Sequence, residues 1–333
     1  MTKLRVGVIG VGWFGTVHCR AIADHPQLEL YALCDRSEDR LSEMAREHNV
    51  TRTHLDYHEL VEDPNIDVLD IVTPWDQHAE PAIAGLNAGK HVFIEKPMAS
   101  TVADCQRICE AAASAKTILM VGHICRFNPR FASAKREIDA GKIGKVVAIT
   151  ARRNCPAMWT KQLLEEIGPI LHTGVHDTDL MLWFTGSKVV STYAQTVNVQ
   201  GLPHADIGHV MYRFENGASA IYESAWCIPD SAPFDIDERM SIIGSEGFIH
   251  VQDTFPNIGV CSKNDFKSPD STYWPEFYGM IGGSLRDEWS YFANCAIEGR
   301  KPEIVTPLES MEAVRTVLAA QKSANTGSAV TLG

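Results

Sequence analysis

Three glycines near the start of the chain have the spacing of a phosphate-binding turn. Residues 6–15 read VGVIGVGWFG, a strand-like apolar run followed by a complete G-x-G-x-x-G pattern. In such a turn the first glycine permits a tight bend, the second lets backbone approach a pyrophosphate, and the third lets the next helix pack closely. The N-terminus of that helix offers N–H groups and a positive dipole end to the anion. We predict a dinucleotide site that includes Gly10, Gly12, Trp13, Phe14 and Gly15.

An acidic residue follows at the distance that this kind of site requires. Asp35 comes about 20 residues after the last glycine, directly behind a second strand-like run at 28–34. A carboxylate there binds the adenosine ribose hydroxyls, repels a 2′-phosphate and so favours NAD. Arg36 comes next and could pair with that phosphate, so NADP is also possible. Strand, glycine turn, helix and acid occur in order, which favours a dinucleotide site over a purely structural turn.

A lysine follows the strand-like run at residues 91–95. Ligands of open α/β sheets bind outside the carboxyl ends of the strands, and Glu95 and Lys96 stand there, followed by Pro97. An ammonium at this place can hydrogen-bond a substrate oxygen and ease its proton loss while a hydride leaves the carbon. The alternative is an ordinary surface lysine in a turn.

A second group of chemically capable residues lies at 168–186, in an otherwise apolar stretch. His172, His176 and Asp179 are spaced four and three apart, so a helix over 169–184 would place them on one face. A metal site is one interpretation, but the glutamate of the H-E-x-x-H motif is lacking, and we predict no metal. A hydrogen-bonded internal network is another. The third is an acid/base site, which a nicotinamide cofactor favours because histidine titrates near neutral pH.

The order of predicted elements indicates two domains. Strands and helices alternate from residue 3 to 123, which is typical of an α/β, doubly wound parallel sheet of the Rossmann type. From 188 to 260 strand-like runs follow one another without a long helix, which predicts a large, mostly antiparallel open sheet in an α+β domain. We place a dinucleotide-binding domain at 1–123 and a substrate-binding and oligomerisation domain at 124–333.

Composition limits the classes of partner. The 333 residues suit about two domains, and 42 acidic against 30 basic residues give a net charge of −12. This excess of negative charge argues against nonspecific binding to nucleic acid or to anionic membrane surfaces.

Cysteine usage and hydropathy indicate a compartment. The nine cysteines are odd in number and scattered, which is typical of reduced, mostly buried thiols in a cytosolic protein. No run reaches the about 18 apolar residues of a membrane span, and a strand begins within the first six residues, where a signal peptide would stand. We therefore expect a cytoplasmic protein without a membrane or nucleic-acid partner.

Several motifs together resemble one known family. GVIGVGWFG at the start, EKPMA at 95–99, GKIGKV at 141–146, GVHDTD at 174–179 and the pattern over 287–309 resemble the Gfo/Idh/MocA family, named after glucose–fructose oxidoreductase and inositol dehydrogenase. The resemblance covers essentially the whole chain. It implies a two-domain NAD(P)-dependent oxidoreductase that acts on sugars, cyclitols or related polyols.

The resemblance also implies roles for individual residues. In it, His176 is the general acid/base at the reacting hydroxyl and Lys96 orients and polarises that hydroxyl. The family usually has aspartate where this chain has His172, which could bind substrate or titrate as a second group. The resemblance also implies that Thr73, Pro74 and His78 lie at the cofactor, and we place Glu95 and Lys96 there too. By position, Arg126 and Arg153 could line a substrate cleft or lie on a solvated edge, and Asp179 could supply the missing negative charge at the substrate.

Two other functions stay open on the same residues. Some relatives are glycosidases that use tightly held NAD for transient oxidation, and a non-catalytic NAD(P)-binding protein is also possible. Retention of Lys96 and His176 argues against the latter. By the same likeness the open face of the C-terminal sheet pairs between subunits, which predicts a homodimer or homotetramer.

Overall fold

The computed structural model describes residues 3–252, 258–263 and 266–333. The chain divides into two compact units. The first contains the residues up to Phe127 together with Thr272–Met311, and the second contains Asn128–Ser271 and Glu312–Gly333. The division into functional domains after residue 123 stays a prediction.

Strands and helices alternate in the part of the first unit that precedes residue 128. The elements are β1 (Leu4–Ile9), α1 (Trp13–Ala23), β2 (Leu28–Cys34), α2 (Glu38–His48), β3 (Thr53–His54), α3 (Tyr57–Glu62), β4 (Val68–Ile71), α4 (Ala79–Asn87), β5 (His91–Glu95), α5 (Val102–Ser114) and β6 (Leu119–Gly122). Short 3-10 turns follow β4 and β6, at Trp75–Gln77 and Ile124–Phe127.

The six strands of this part form one parallel sheet, in the order β3-β2-β1-β4-β5-β6. Every residue of β4 and of β6 is buried, as expected for parallel strands whose two faces are both covered. Strands β1 to β3 are added toward one edge of the sheet and β4 to β6 toward the other, so the order reverses between the central neighbours β1 and β4. The predicted doubly wound sheet is confirmed. Its carboxyl edge at this reversal is where such sheets bind ligands.

The second unit begins with helices and continues with strands. Its elements up to residue 271 are α6 (Pro129–Asp139), β7 (Val146–Asn154), α7 (Ala157–Thr160), α8 (Pro169–His172), α9 (Gly174–Thr185), β8 (Val189–Val197), β9 (Ile207–Phe214), β10 (Ser219–Ala225), β11 (Asp237–Gly244), β12 (Phe248–Gln252), β13 (Val260–Cys261) and β14 (Phe266–Lys267). A 3-10 turn lies at Leu163–Glu165.

The last part of the chain contributes to both units. Its elements are β15 (Glu276–Phe277), β16 (Met280–Ile281), α10 (Gly283–Glu298), α11 (Pro307–Thr326) and β17 (Val330–Thr331). The hairpin β15–β16 and helix α10 belong to the first unit, whereas β17 pairs with β8 in the second. Among the described residues, no helix is both long and apolar enough to cross a membrane.

Seven strands of the second unit form a mixed sheet in the order β12-β11-β7-β10-β9-β8-β17. Only the central pair β7 and β10 runs parallel among its neighbours, so the prediction of a mostly antiparallel sheet is confirmed. Side chains alternate along β9: Val210, Tyr212 and Phe214 are buried, whereas Met211 is exposed. One face of the sheet is therefore covered and the other lies open.

Candidate functional site

The turn after β1 has two glycines that the protein's own packing requires. Gly10 has φ 95°, and a Cβ atom there would lie 2.8 Å from the backbone of Val72. A Cβ atom on Gly15 would lie 2.0 Å from the carbonyl oxygen of Gly10. Helix α1 can approach β1 this closely only because both residues lack a side chain.

Gly12 is a glycine for another reason. Its backbone is extended at φ −68° and ψ −169°, a conformation that any residue can adopt, and it caps the N-terminus of α1. A Cβ atom there would meet no described atom within 4 Å. The space beside the helix N-terminus therefore fits the pyrophosphate of a dinucleotide. The predicted neighbours Trp13 and Phe14 begin the helix, where their rings stack with centroids 5.7 Å apart.

The two kinds of glycine should respond differently to alanine. Gly12→Ala is expected to keep the melting temperature of the parent and to weaken NAD binding about tenfold, because the new methyl group fills space used by phosphates. Gly15→Ala is expected to lower stability by about 1–3 kcal/mol, because backbone must move away from the methyl group. Thermal unfolding and NAD titration would check both variants. Unchanged NAD affinity in Gly12→Ala would contradict this assignment of the turn.

Asp35 is held in place at the end of β2 by several donors. Its Oδ2 accepts the N–H of Val11 at 2.9 Å, while Oδ1 accepts the N–H of Ser37 at 2.9 Å and Nη2 of Arg40 at 2.6 Å. Burial alone would raise the pKa of Asp35, but these hydrogen bonds outweigh it and the pKa lies below its ordinary value. The carboxylate is thus ionised and bonded to the residue that follows Gly10.

The basic residue paired with Asp35 differs from the one that the sequence singled out. Arg36 is exposed, and Arg40 from the first turn of α2 makes the ion pair. A residue five positions after the acid, near the start of a helix capped by Ser37, was a usable signal for this contact. Two arginines therefore flank the carboxylate that is predicted to select the cofactor.

We expect Asp35→Ser to shift the cofactor preference. Loss of the carboxylate removes the acceptor for the ribose hydroxyls and leaves Arg36 and Arg40 to attract a 2′-phosphate. The ratio of kcat/KM for NAD to that for NADP should fall at least about a hundredfold. Asp39→Ser, on the exposed first turn of α2, is the matched control and should keep the ratio. Steady-state kinetics with both cofactors measures this, and an unchanged ratio in Asp35→Ser would refute the assignment.

The carboxyl ends of β4 and β5 are tied together by a histidine. His78 is buried, with Nε2 2.8 Å from the carbonyl oxygen of Thr73 and Nδ1 3.0 Å from that of Pro97. Thr73 and Pro74 follow β4, and Lys96 follows β5 at the same edge of the sheet. The contacts of His78 favour a role in shaping these two turns, while its predicted contact with the cofactor stays a prediction.

A buried charged cluster lies behind the same edge, and the sequence reasoning missed it. His18 of α1 places Nδ1 3.0 Å from Oδ2 of Asp70 and Nε2 3.4 Å from Oε1 of Glu95. His18 and Asp70 are fully buried, and Glu95 is nearly so. A signal was present, because Asp70 interrupts the apolar strand β4 in the middle. Charged residues inside a buried strand rarely occur without partners.

Arg126 is buried just after β6, inside its own unit. Its Nη1 donates to the carbonyl oxygen of Ile304 at 2.5 Å and lies 3.2 Å from Oε1 of Glu309. These contacts join the turn after β6 to the start of α11. Substrate binding by Arg126 stays a prediction.

The histidine segment of the second unit is two helices rather than the single helix expected over 169–184. Helix α8 ends at His172 and α9 begins at Gly174. Thr173 between them keeps helical torsion angles, but the N–H of His176 bonds its carbonyl oxygen at 3.1 Å, one residue short of the α-helical partner. The prediction of one continuous helix is therefore wrong.

Close packing on the sheet explains the interruption. The hydroxyl of Thr173 lies 2.7 Å from that of Ser224 and accepts the indole N–H of Trp226 at 3.1 Å. A Cβ atom on Gly174 would lie 2.5 Å from the hydroxyl oxygen of Tyr222. Side-chain hydrogen bonds from the sheet thus hold the backbone between the two histidines.

Both histidines of this segment are half-buried. The ring of His172 contacts that of Trp226 edge to face, with centroids 5.4 Å apart. His176 lies in the first turn of α9, and Asp179 is buried one turn later. The structure thus brings His172 and His176 onto neighbouring turns of one packed segment.

A buried arginine fixes the start of α9. Arg153 of β7 donates from Nε to Oδ2 of Asp177 at 3.0 Å and from Nη2 to Oδ1 at 3.2 Å, and it also pairs with Glu238 of β11. Asp177 directly follows His176. The guanidinium has little contact with solvent, so the geometry favours a role in positioning α9. Its predicted contact with substrate stays a prediction.

The parallel sheet, its glycine turn and the acid after β2 together define a dinucleotide-binding, Rossmann-type protein with a second, mixed-sheet unit. Among the described residues, no three His, Cys, Asp or Glu side chains are grouped to hold a metal ion. The family model described as "Oxidoreductase family, NAD-binding Rossmann fold" matches residues 4–123, and that of the GFO/IDH/MocA C-terminal domain matches 131–250. The chain belongs to the Gfo/Idh/MocA family of NAD-binding oxidoreductases. The predicted family, enzyme class and NAD cofactor are thereby confirmed.

Curated relatives and solved structures extend this comparison. The myo-inositol 2-dehydrogenase of Thermotoga maritima is 30% identical over 308 residues, which cover 90% of each chain. The scyllo-inositol 2-dehydrogenase (NAD(+)) of Bacillus subtilis is 27% identical and covers 99% of this chain and 96% of its own. The crystal structure of myo-inositol 2-dehydrogenase from Lactobacillus plantarum matches with a TM-score of 0.87 at 25% identity, over the full length of both chains.

Proposed function

We propose that this protein is an NAD-dependent dehydrogenase that oxidises one hydroxyl of an inositol or a related polyol, with Lys96 and His176 at the reacting oxygen. The place of Lys96 carries this proposal. It follows β5 directly, on the sheet edge that also bears the glycine turn and Asp35. The names of the relatives from Thermotoga maritima and Bacillus subtilis support an inositol as the substrate class.

The residues present fit a bound dinucleotide. The space around Gly12 suits the pyrophosphate, and Asp35 suits the adenosine ribose. Thr73 and Pro74 lie at the carboxyl end of β4, beside the strand that leads to Lys96. Asp35, with its depressed pKa, remains ionised at neutral pH and favours NAD over NADP.

The proposed reaction divides its work between two side chains. The ammonium of Lys96 donates a hydrogen bond to the hydroxyl oxygen and stabilises the negative charge that grows there. The imidazole of His176 accepts the hydroxyl proton. As the C=O bond forms, the electron pair of the C–H bond leaves with the hydrogen as hydride. Bound NAD supplies the acceptor for that hydride.

His172 distinguishes this chain from the usual pattern of its family. We propose that its half-buried ring, held against Trp226, binds a hydroxyl of the polyol or titrates together with His176. A neutral or cationic group there replaces the carboxylate that orients the histidine in relatives. We infer from this departure a subgroup of the family with a distinct substrate.

Association of copies belongs to the same proposal. The open face of the seven-stranded sheet bears large apolar side chains that are exposed in the single chain, among them Tyr193, Met211 and Ile221. Exposed apolar patches of this kind mark interaction sites. We propose a homodimer or homotetramer formed through this face.

A substrate panel would test the proposed function. The purified protein should reduce NAD in the presence of at least one inositol, sugar or related polyol, with stoichiometric ketone formation. Net NADH production would separate a dehydrogenase from a glycosidase, since a glycosidase cycle returns its hydride. Binding of NAD without turnover of any polyol would contradict the proposal.

A further inference from the structure

The imidazole of His18 is fully buried among residues of the first unit. Asp70 on β4 and Glu95 on β5 face its two nitrogens, and both carboxylates project from the same face of the sheet. The rings of Phe14, Phe93 and Trp289 complete the enclosure, with centroids 4.8, 5.9 and 5.8 Å from that of His18. These neighbours come from α1, β5 and α10.

Two carboxylates facing one imidazole favour its protonated form, in which both ring nitrogens carry a proton. A neutral ring has one N–H group, whereas an imidazolium donates from Nδ1 and Nε2 together. Burial lowers the pKa of His18, but Asp70 and Glu95 outweigh it and raise the pKa to about 10. The nearby thiol of Cys19 stays neutral, because burial raises its pKa. Burial also raises the pKa of Asp70, although the nearby His18 opposes that rise.

Glu95 connects this cluster to the backbone of Lys96. Oε1 of Glu95 pairs with His18, and Oε2 accepts the N–H of Lys96 at 3.1 Å. The neighbouring strand leaves room for the carboxylate, because a Cβ atom on Gly122 would lie 2.4 Å from Oε1. Oε1 of Glu95 thus faces the imidazole at ion-pair distance, and Oε2 bonds the residue proposed to meet the substrate.

A buried ionic cluster of this kind is a poor means of gaining stability. Well-packed apolar residues in its place are often as stable or more so, because the charges lose their hydration. We therefore look for its role in holding a local geometry and a local charge rather than in stabilising the fold. On the basis of the function proposed above, we propose that His18 is a positioning residue. Through Glu95 it fixes the turn that presents Lys96, and it sets the net charge beside that side chain.

Two amide substitutions on opposite sides of His18 separate positioning from stability. Glu95→Gln retains a single acceptor oxygen, so it cannot face the imidazole with one oxygen and bond the N–H of Lys96 with another. Asp70→Asn removes the other carboxylate, whose Oδ2 meets Nδ1 of His18, and leaves the bond of Glu95 to the N–H of Lys96 in place. Each variant removes one carboxylate from the same imidazolium, and the two should lower the melting temperature to a similar extent.

The activities of these variants should differ. Glu95→Gln is expected to lower kcat at least about tenfold, because a displaced Lys96 no longer donates a well-aligned hydrogen bond to the substrate hydroxyl. Asp70→Asn should keep kcat within about threefold, and both should bind NAD within about threefold of the parent. Equal losses of kcat in the two variants would overturn the proposal. A loss of NAD affinity in Glu95→Gln that accounts for its whole effect would also overturn it.

A second readout does not need turnover. Acetylation of Lys96 by a small amine-reactive ester, followed by peptide mass spectrometry, reports the position and charge environment of its amine. Removal of the Glu95 charge should speed acetylation at neutral pH several-fold, and Asp70→Asn should change it less. If the parent protein reduced NAD with no polyol, the proposed function would fail. Unchanged acetylation in Glu95→Gln would overturn the positioning role independently.

Discussion

Replacing His176 by alanine is expected to lower kcat about a thousandfold while NAD binding stays within about threefold of the parent protein. The imidazole is the proposed acceptor of the hydroxyl proton, and a methyl group cannot replace it. Removal of the ring should disturb the fold little, because His176 is only half-buried and α9 is anchored by Arg153 through Asp177. Steady-state kinetics and NAD fluorescence titration measure the two quantities.

A surface histidine provides the matched control for this loss. His58→Ala lies on the exposed side of α3 and should leave kcat unchanged. Partial recovery of His176→Ala by added imidazole would support a role in proton transfer. Turnover of His176→Ala at the level of the control would exclude His176 as the base.

Lys96→Met should have an effect of similar size for a different reason. Methionine keeps much of the length of the side chain but removes the hydrogen-bond donor and its charge. The hydroxyl oxygen then gains negative charge without stabilisation, and kcat/KM should fall about a hundredfold to a thousandfold. Single-turnover formation of NADH, with protein in excess of substrate, measures this step directly.

Lys116→Met is the matched control, because Lys116 is an exposed residue of the same unit that precedes β6. It should retain full activity. If Lys96→Met raised KM and kept kcat, Lys96 would bind the substrate without acting on the transition state.

The part of the first unit that precedes residue 128 could be predicted from sequence almost element by element. The predicted strands at 28–34 and 91–95 coincide with β2 and β5, because apolar and strand-forming residues dominate both short runs. The turn at Gly10 was equally clear, since Gly10 and Gly15 answer steric requirements of the protein itself and Gly12 leaves space for a ligand.

Long-range pairing could not be read in the same way. The parallel pairing of β7 with β10 joins residues about 70 positions apart, and neither strand's own pattern of burial reveals its neighbour. The interruption at Thr173 has a similar cause, because contacts with Ser224 and Trp226 from a distant strand compete with the helix.

In the candidate site, too, local sequence patterns were predictable and long-range contacts were not. Motif positions such as Lys96 and Asp35 were recognisable, because their chemistry requires a residue type at a fixed place along a strand. The partners were not recognisable, since Arg40 reaches Asp35, and His18 reaches Glu95 beside Lys96, only through folding. Residues that act through another side chain leave a weaker signal in a single sequence than residues that act on a ligand.

The central claim, that Lys96 and His176 act on one hydroxyl, is tested most directly by a double-mutant cycle in the rate of NADH formation. Two groups that serve the same transition state are strongly non-additive, because loss of either already removes the pathway they share. We predict that Lys96→Met/His176→Ala is at most about tenfold slower than the slower single variant. A rate equal to the product of the two separate losses would show that the residues act independently, and it would contradict this account.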